Sequence, residues 1–253
     1  MGMIFDSHAH YDDERFNDTR DELLLELSKN GVCGIINCGT DIDTSLFSVS
    51  LAQKYDFVYA AVGIHPGSVD DKTVFDEQQM LDLIDNKKTV AIGEIGLDYY
   101  WDTTFKEQQI DLFIKQIEFA NKHDLPVIIH DRDAHGDTLE IIRKYRPKGV
   151  LHCFSGSVEM AKEAVNLGLY IGFGGVLTFK NSKKAVEVAE AIPLQYILLE
   201  TDAPYLAPEP NRGKTNRSDY IEFVAKKLAD IKNIDYDTVL EQTLKNTKQL
   251  FNL

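Results

Sequence analysis

The sequence predicts an α/β fold, a single TIM-type (β/α)8 barrel with an additional C-terminal helix, occupying residues 1–253 as one domain. Three observations predict it. Short, wholly apolar runs alternate with amphipathic segments about eight times along the chain. Strands that are apolar on both faces belong to a parallel sheet covered by helices. The length of 253 residues matches the roughly 250 typical of such a barrel. No Gly-x-Gly-x-x-Gly turn follows the first apolar run, which disfavours an open dinucleotide-binding sheet.

The predicted strands lie at 3–6, 32–38, 58–64, 90–92, 127–130, 150–153, 170–173 and 197–199. Between most of them the apolar residues recur at helical spacing. The clearest case is 107–121, where Ile110, Phe113, Ile114, Ile117 and Ala120 share one face. Similar segments occupy 19–29, 43–54, 134–144, 157–167 and 182–191. Residues 218–253 read as two helices, the eighth of the barrel and a C-terminal one, separated near Asn233 and Asp235. No Gly/Ser linker, low-complexity tract or charge block interrupts the series.

Composition narrows the class. Hydrophobic residues make up 43% of the chain, enough for a sizeable core. No stretch has the length or apolarity of a membrane span, and no basic segment followed by an apolar run marks a secretory signal. Cys33, Cys38 and Cys153, odd in number and in apolar contexts, read as buried free thiols of a reducing, cytoplasmic compartment. The net charge of −14 argues against nonspecific adhesion to nucleic acid or anionic membrane. It leaves a phosphate substrate open, because carboxylates that bind cations reverse the local field. No obligate protein partner is evident, and a monomer is compatible with the sequence.

Barrel enzymes carry their chemistry at the C-terminal ends of the strands, and metal-type residues recur there. His8 and His10 close the first strand at spacing i, i+2, which aims both rings to one side. His65 ends the third, Glu94 follows the fourth, His130 ends the fifth, His152 the sixth, and Asp202 follows the eighth. His123 and His135 fall instead at a helix end and a helix start. His8, His10, Glu94, His130, His152 and Asp202 supply four nitrogens and two carboxylates, borderline-to-hard ligands suited to Mg, Mn or Zn. Six ligands exceed one tetrahedral site and suit two divalent ions, with Glu94 as the bridging carboxylate. The glycines around Glu94 let neighbouring backbone pack closely.

Together the motifs resemble those of the TatD-type metal-dependent deoxyribonucleases, within the amidohydrolase-like barrel superfamily. The matching pieces begin with Asp6-Ser-His-Ala-His10, Gly63-Ile-His-Pro66, Gly93-Glu-Ile-Gly-Leu-Asp98 and Leu125-Pro-Val-Ile-Ile-His-Asp-Arg-Asp-Ala134. They continue with His152-Cys-Phe-Ser-Gly156, Leu177-Thr-Phe-Lys-Asn-Ser182 and Glu200-Thr-Asp-Ala-Pro-Tyr205, so the resemblance spans nearly the whole chain. One departure stands out. Where the family commonly reads Arg-Gly-Lys-x-Asn-Glu-Pro, this chain has Arg212-Gly-Lys-Thr-Asn216-Arg217-Ser218, which bears on how that loop grips substrate or starts its helix.

The resemblance implies metal-dependent hydrolysis of phosphodiester bonds in DNA, exonucleolytic or single-strand preferring. The residues suit that chemistry, since two ions can polarise a phosphoryl oxygen, activate water and stabilise the leaving oxygen. Asp202, with Glu94, is the expected catalytic carboxylate, binding one ion and accepting a proton from the attacking water. His65, Arg132, Lys180 and Asn216 are expected on the substrate side, joined by Arg212 and Lys214 in the last rim loop; the cations are charge-assisted phosphate donors. His65 is alternatively an extra ligand, and plain solvent exposure is an equal alternative for Arg212, Lys214 and Asn216. For Arg132 an ion pair with a nearby carboxylate is an equal alternative. Tyr99, Tyr100 and Trp101 either stack on bases or pack over the barrel mouth. The same ligand set also suits amide, C–N or aminoacyl-ester hydrolysis, and a non-catalytic metal-binding barrel is the remaining alternative.

Overall fold

A computed structural model describes residues 3–253; the first two residues of the 1–253 unit lie outside it. Eight strands form one parallel sheet in sequential order: β1 (Ile4–Ala9), β2 (Val32–Cys38), β3 (Val58–Val62), β4 (Thr89–Asp98), β5 (Val127–Arg132), β6 (Gly149–Leu151), β7 (Tyr170–Phe173) and β8 (Ile197–Leu199). The sheet curls until its first and last strands meet. A parallel bridge joins Ala9 to Ala203, and His10 N–H donates to the Ala203 carbonyl at 2.7 Å. The predicted (β/α)8 barrel is therefore the fold of the chain.

Helices α1 (Arg20–Lys29), α2 (Ile42–Lys54), α3 (Glu77–Ile84), α4 (Lys106–Lys122), α5 (His135–Tyr145), α6 (Val158–Asn166), α7 (Lys183–Ala191) and α8 (Ile221–Lys232) follow the strands in turn. Side chains cap the N-termini of three of them, α2, α3 and α6. Asp41 and Thr44 form a reciprocal capping box on α2, and Asp76 accepts from two N–H groups at the start of α3. Among the described residues no helix is long and apolar enough to cross a membrane.

Strand residues alternate between two apolar layers. Ile35, Ile92, Ile129, Ile171 and Ile197 face outward and pack against helical residues such as Leu24, Phe113, Ile117 and Val224. Phe5, Ile36, Ala61, Val90, Ile128, Val150, Tyr170 and Leu198 fill the barrel interior. The additional C-terminal helix, α9 (Tyr236–Phe251), belongs to this second layer. Its Leu250 and Phe251 pack against the interior residues, each burying a side chain worth about 1.5–3 kcal/mol. This apolar plug leaves polar chemistry to the opposite mouth, at the strand C-termini.

Some boundaries differ from expectation. β1 runs through Ala9 rather than stopping at Asp6, so His8 lies inside a strand whose residues are all buried. β4 continues for ten residues to Asp98, well past the predicted end at Ile92, and carries Glu94 within it. Gly96 makes this possible: its φ is +146°, and a Cβ there would sit 1.9 Å from the His130 carbonyl oxygen. Helix α3 had no counterpart in the predicted series. Of the three cysteines, all free, Cys38 is buried while Cys33 and Cys153 are only partly so.

Candidate metal centre

The six residues picked as ligands converge at the barrel mouth. From β1, His8 Nε2 and His10 Nε2 approach to 3.0 Å. Each lies 3.4 Å from Glu94 Oε2 and about 3.5 Å from Asp202 Oδ1, at 3.6 and 3.5 Å. On the other side of the same carboxylate, Glu94 Oε1 meets His152 Nε2 at 2.7 Å, His130 Nδ1 at 2.8 Å and His65 Nε2 at 3.5 Å. Glu94 thus turns one oxygen toward the β1 histidines and the other toward those of β3, β5 and β6. Three overlapping sets, His8/His10/Glu94, His8/His152/Asp202 and His65/Glu94/His130, each place their ligand atoms within 4.8 Å of one another.

The remaining ring nitrogens decide which atoms are free to coordinate. His10 Nδ1 lies 2.9 Å from the Cys38 carbonyl, which can only accept, so Nδ1 carries a proton and Nε2 is the atom that would coordinate once deprotonated. His130 Nε2 lies 2.9 Å from Asp98 Oδ2; that carboxylate orients the ring and turns Nδ1 toward Glu94. His65 is the reverse case. Its Nδ1 accepts from Gly67 N–H at 2.9 Å, so in the neutral ring Nε2 is a donor.

The electrostatics suit cations. Burial works against charge on His10, but hydrogen bonds to Asp202 and Glu94 hold its proton well above the ordinary histidine range. Burial likewise opposes the charged form of His130, yet Asp98 and Glu94 raise it to about 9. His152 is also raised, with Glu94 overcoming burial. Glu94 itself, despite burial, is held well below the carboxylate range by His152, His65 and His8. By contrast His8, buried and beside His152, drops to about 4, and buried His65 to about 3. His10, His130 and His152 would have to release these protons to bind a metal. Once they do, their ring nitrogens face two ionised carboxylates, a donor set that fits a divalent ion.

Sequence comparison agrees. A family model described as TatD related DNase matches residues 5–252. The uncharacterized metal-dependent hydrolase YabD of Bacillus subtilis is 39% identical, with 99% of this chain and all of YabD covered. YcfH of Escherichia coli, described likewise, is 34% identical over 99% of this chain and 96% of its own length. The chain belongs to the TatD family. Its members among these relatives are metal-dependent hydrolases, and so is this protein. The crystal structure of YjjV, a TatD homologue from Escherichia coli, superposes with a TM-score of 0.92 at 33% identity, covering 99% of this chain and 98% of that one.

The TatD-family cleft has a volume of about 670 Å³, and His10, His65, Glu94, His130, Arg132, His152 and Asp202 line it. Not every expected substrate-side residue does. Lys180 and Arg212 are exposed but lie off the cleft wall, Arg212 being stacked 3.7 Å over Phe179. Asn216 is fully buried, and its amide donates to the carbonyls of Thr201 and Tyr205, both at 2.8 Å. It braces the loop after β8 instead of facing substrate. Tyr99 also turns inward, donating to Asp137 at 2.7 Å.

Two carboxylates in the quoted motifs acquire roles that the sequence did not assign. Asp98 orients His130, as above. Glu200 is fully buried; its Oε1 accepts from Cys153 N–H and lies 3.9 Å from His152 Nδ1. Burial lifts its carboxyl to about 8, and Gly172 leaves it room, since a Cβ there would come within 2.5 Å of Oε2. His152 Nδ1 and Glu200 Oε2 are buried without hydrogen-bond partners. A carboxylate next to a ligating ring was the available signal, but adjacency in space does not show in sequence.

Proposed function

We propose that this TatD-family hydrolase cleaves phosphodiester bonds in DNA, from an end or on single strands, with two divalent cations. The observation that carries the reading is Glu94, whose two oxygens face separate histidine groups in the way a carboxylate bridging two ions requires. His8, His10 and Asp202 would hold one ion, and His130 and His152 the other, each sharing Glu94. Cations in these positions supply Lewis acidity to the phosphoryl group and its leaving oxygen.

The chain's own groups do the rest. Asp202 stays ionised, because against burial His10 and His8 hold its carboxyl below the ordinary range; it accepts the proton of the attacking water. His65, neutral and with Nε2–H available, donates to a non-bridging phosphate oxygen. Arg132 supplies positive charge. Among the described residues no carboxylate lies within ion-pair distance of its guanidinium, which favours a phosphate over a neutral amide as the substrate. The free thiols suit a reducing compartment such as the cytoplasm.

The test is hydrolysis of end-labelled single- and double-stranded DNA after chelation, with Mg, Mn or Zn restored in turn. Parallel assays use amide, cyclic-imide and aminoacyl-ester substrates. Release of nucleotides that depends on added metal supports the reading. Turnover of only the other substrates overturns it, as does metal that raises thermal stability while every assay stays flat. Asp202→Asn should lower turnover at saturating metal by a factor of about 10²–10⁴; a change within a few-fold removes Asp202 from its role.

A further inference from the structure

We propose that the cleft mouth is a nucleobase clamp, in which two cation-backed aromatic plates, Tyr100–Arg132–Trp101 and Arg15–Tyr205, stack unpaired bases on either side of the reacting phosphate. The proposal rests on the nuclease reading above.

The two plates stand at opposite sides of the mouth. Tyr100 and Trp101 follow β4 and Arg132 ends β5, while Arg15 follows β1 and Tyr205 follows β8. In a ring ordered β1 to β8, the β4/β5 edge lies across from the β8/β1 edge. The metal-type cluster sits between them, and Trp101, Arg132 and Tyr205 line the same cleft.

Each plate is built rather than merely exposed. The Arg132 guanidinium lies 3.8 Å from the Tyr100 ring centre and 5.3 Å from that of Trp101, with the two rings nearly perpendicular at 88°. Arg15 lies 4.6 Å over Tyr205 and is paired with Asp13 at 3.8 Å, the carboxylate that also fixes the Tyr205 hydroxyl at 2.7 Å, so the free positive charge is at the Arg132 plate. The ring of Tyr205 also stands edge-on to the ligand candidate His10. Yet Trp101, the sole tryptophan of the chain, is 76% exposed, and Tyr100 and Tyr205 are 53% and 41% exposed. Flat apolar faces held by cations and left open to solvent call for a flat, electron-rich partner that carries negative charge.

Unpaired nucleobases on a phosphate chain meet that description. Stacking is worth about 1–3 kcal/mol per base and tolerates any sequence, since every base has a π-face. Paired bases inside a duplex are already stacked and cannot use the plates. A cleft of about 670 Å³ falls in the roughly 300–1,000 Å³ range of small-ligand pockets, which suits a strand end better than a duplex.

Because Trp101 is the only tryptophan, its fluorescence reports directly on the plate. The metal-loaded protein is titrated with a phosphorothioate thymidine octamer and with an abasic octamer of equal charge. The thymidine strand should quench the fluorescence and the abasic strand should not. With cleavable thymidine oligomers, Trp101→Ala and Tyr205→Ala should each raise KM about tenfold, kcat staying within twofold for Trp101→Ala, and Trp101→Phe should restore KM. Equal quenching by the abasic strand, or unchanged KM in both alanine variants, overturns the clamp. Quenching without any cleavage by the wild-type protein would instead retire the nuclease reading while leaving the stacking plates in place.

Discussion

Glu94 and His130 show how the site depends on single atoms. His130 serves only if its Nδ1 points inward, and the contact between Nε2 and Asp98 Oδ2 fixes that orientation. Asp98→Asn keeps the shape but weakens the carboxylate's hold on the ring, so metal affinity should fall about 10–100-fold in a titration of the chelated protein. Glu200 gives a second prediction, in the pH dependence of stability. Burial lifts its folded pKa to about 8, above the 4.5 of a free carboxyl, so between those values the folded chain holds more protons than the unfolded one. Stability from this group is therefore complete below about pH 4.5 and lost as pH rises toward 8. Glu200→Gln, which keeps the neutral shape, should remove that decline, a difference on the order of a few kcal/mol. Urea unfolding of both metal-free proteins at pH 5, 7 and 9 checks it; parallel curves would show that Glu200 is not buried against its charge. Neither role was legible beforehand. Both residues stand in recognisable motifs, but the atom each one faces is supplied by another strand.

At the scale of elements, the alternation of apolar runs with helical periods marked every strand of the barrel, because a parallel sheet covered by helices forces that pattern. It failed where a local demand overrode it. The polar Ser-His-Ala-His stretch looked like the end of β1, but the barrel mouth buries polar residues for chemistry. The apolar run of β4 stopped at Ile92, but Gly93 and Gly96 carry the strand on by admitting the close approach of β5, the close packing expected of the glycines around Glu94. Helix α3, at eight residues the shortest of the α-helices, spans barely two turns, too short a window for its period to stand out. The departure at Arg217-Ser218 also has a structural account. Arg217 pairs with Glu26 of α1 at 2.8 Å and with Asp219 at 2.7 Å. Ser218 N–H donates to the Tyr11 hydroxyl at 3.0 Å, and its Oγ donates to buried Asp6 at 2.7 Å. Thr201 donates to the same carboxylate. This network ties the loop after β8 to β1, beside the candidate ligands His8 and Asp202. Proline suits the first position of a helical turn, but here it would strip Tyr11 and Asp6 of partners. Ser218→Pro should therefore cost about 2–3 kcal/mol in urea unfolding, and Ser218→Ala, which keeps the N–H, less. If proline matched the wild type, the network would not be what holds this loop.

For the whole molecule, charge sets how substrate arrives. On the proposed nuclease reading, a chain with net charge −14 repels DNA at a distance, so attraction would have to be local: bound divalent ions, Arg132 and Arg15. The last is already paired with Asp13 at 3.8 Å, so that two side-chain cations is an upper count. This predicts an unusual salt response. A nuclease that tracks many phosphates loses about 10³–10⁵ in affinity between 50 and 200 mM salt. With two side-chain cations on a single strand, the release of bound counterions predicts a slope near −1.4 and a loss of roughly sevenfold over that interval. Screening acts in the opposite direction, because added salt also weakens the long-range repulsion between acidic protein and DNA. KM for a single-stranded oligomer at saturating metal should thus rise by no more than about sevenfold between 50 and 200 mM salt. A hundredfold rise would mean that the strand follows a basic path beyond the cleft, bringing Lys180, Arg212 and Lys214 back into contact with it. A flat or falling KM would mean that stacking and the metal cluster alone hold the strand end.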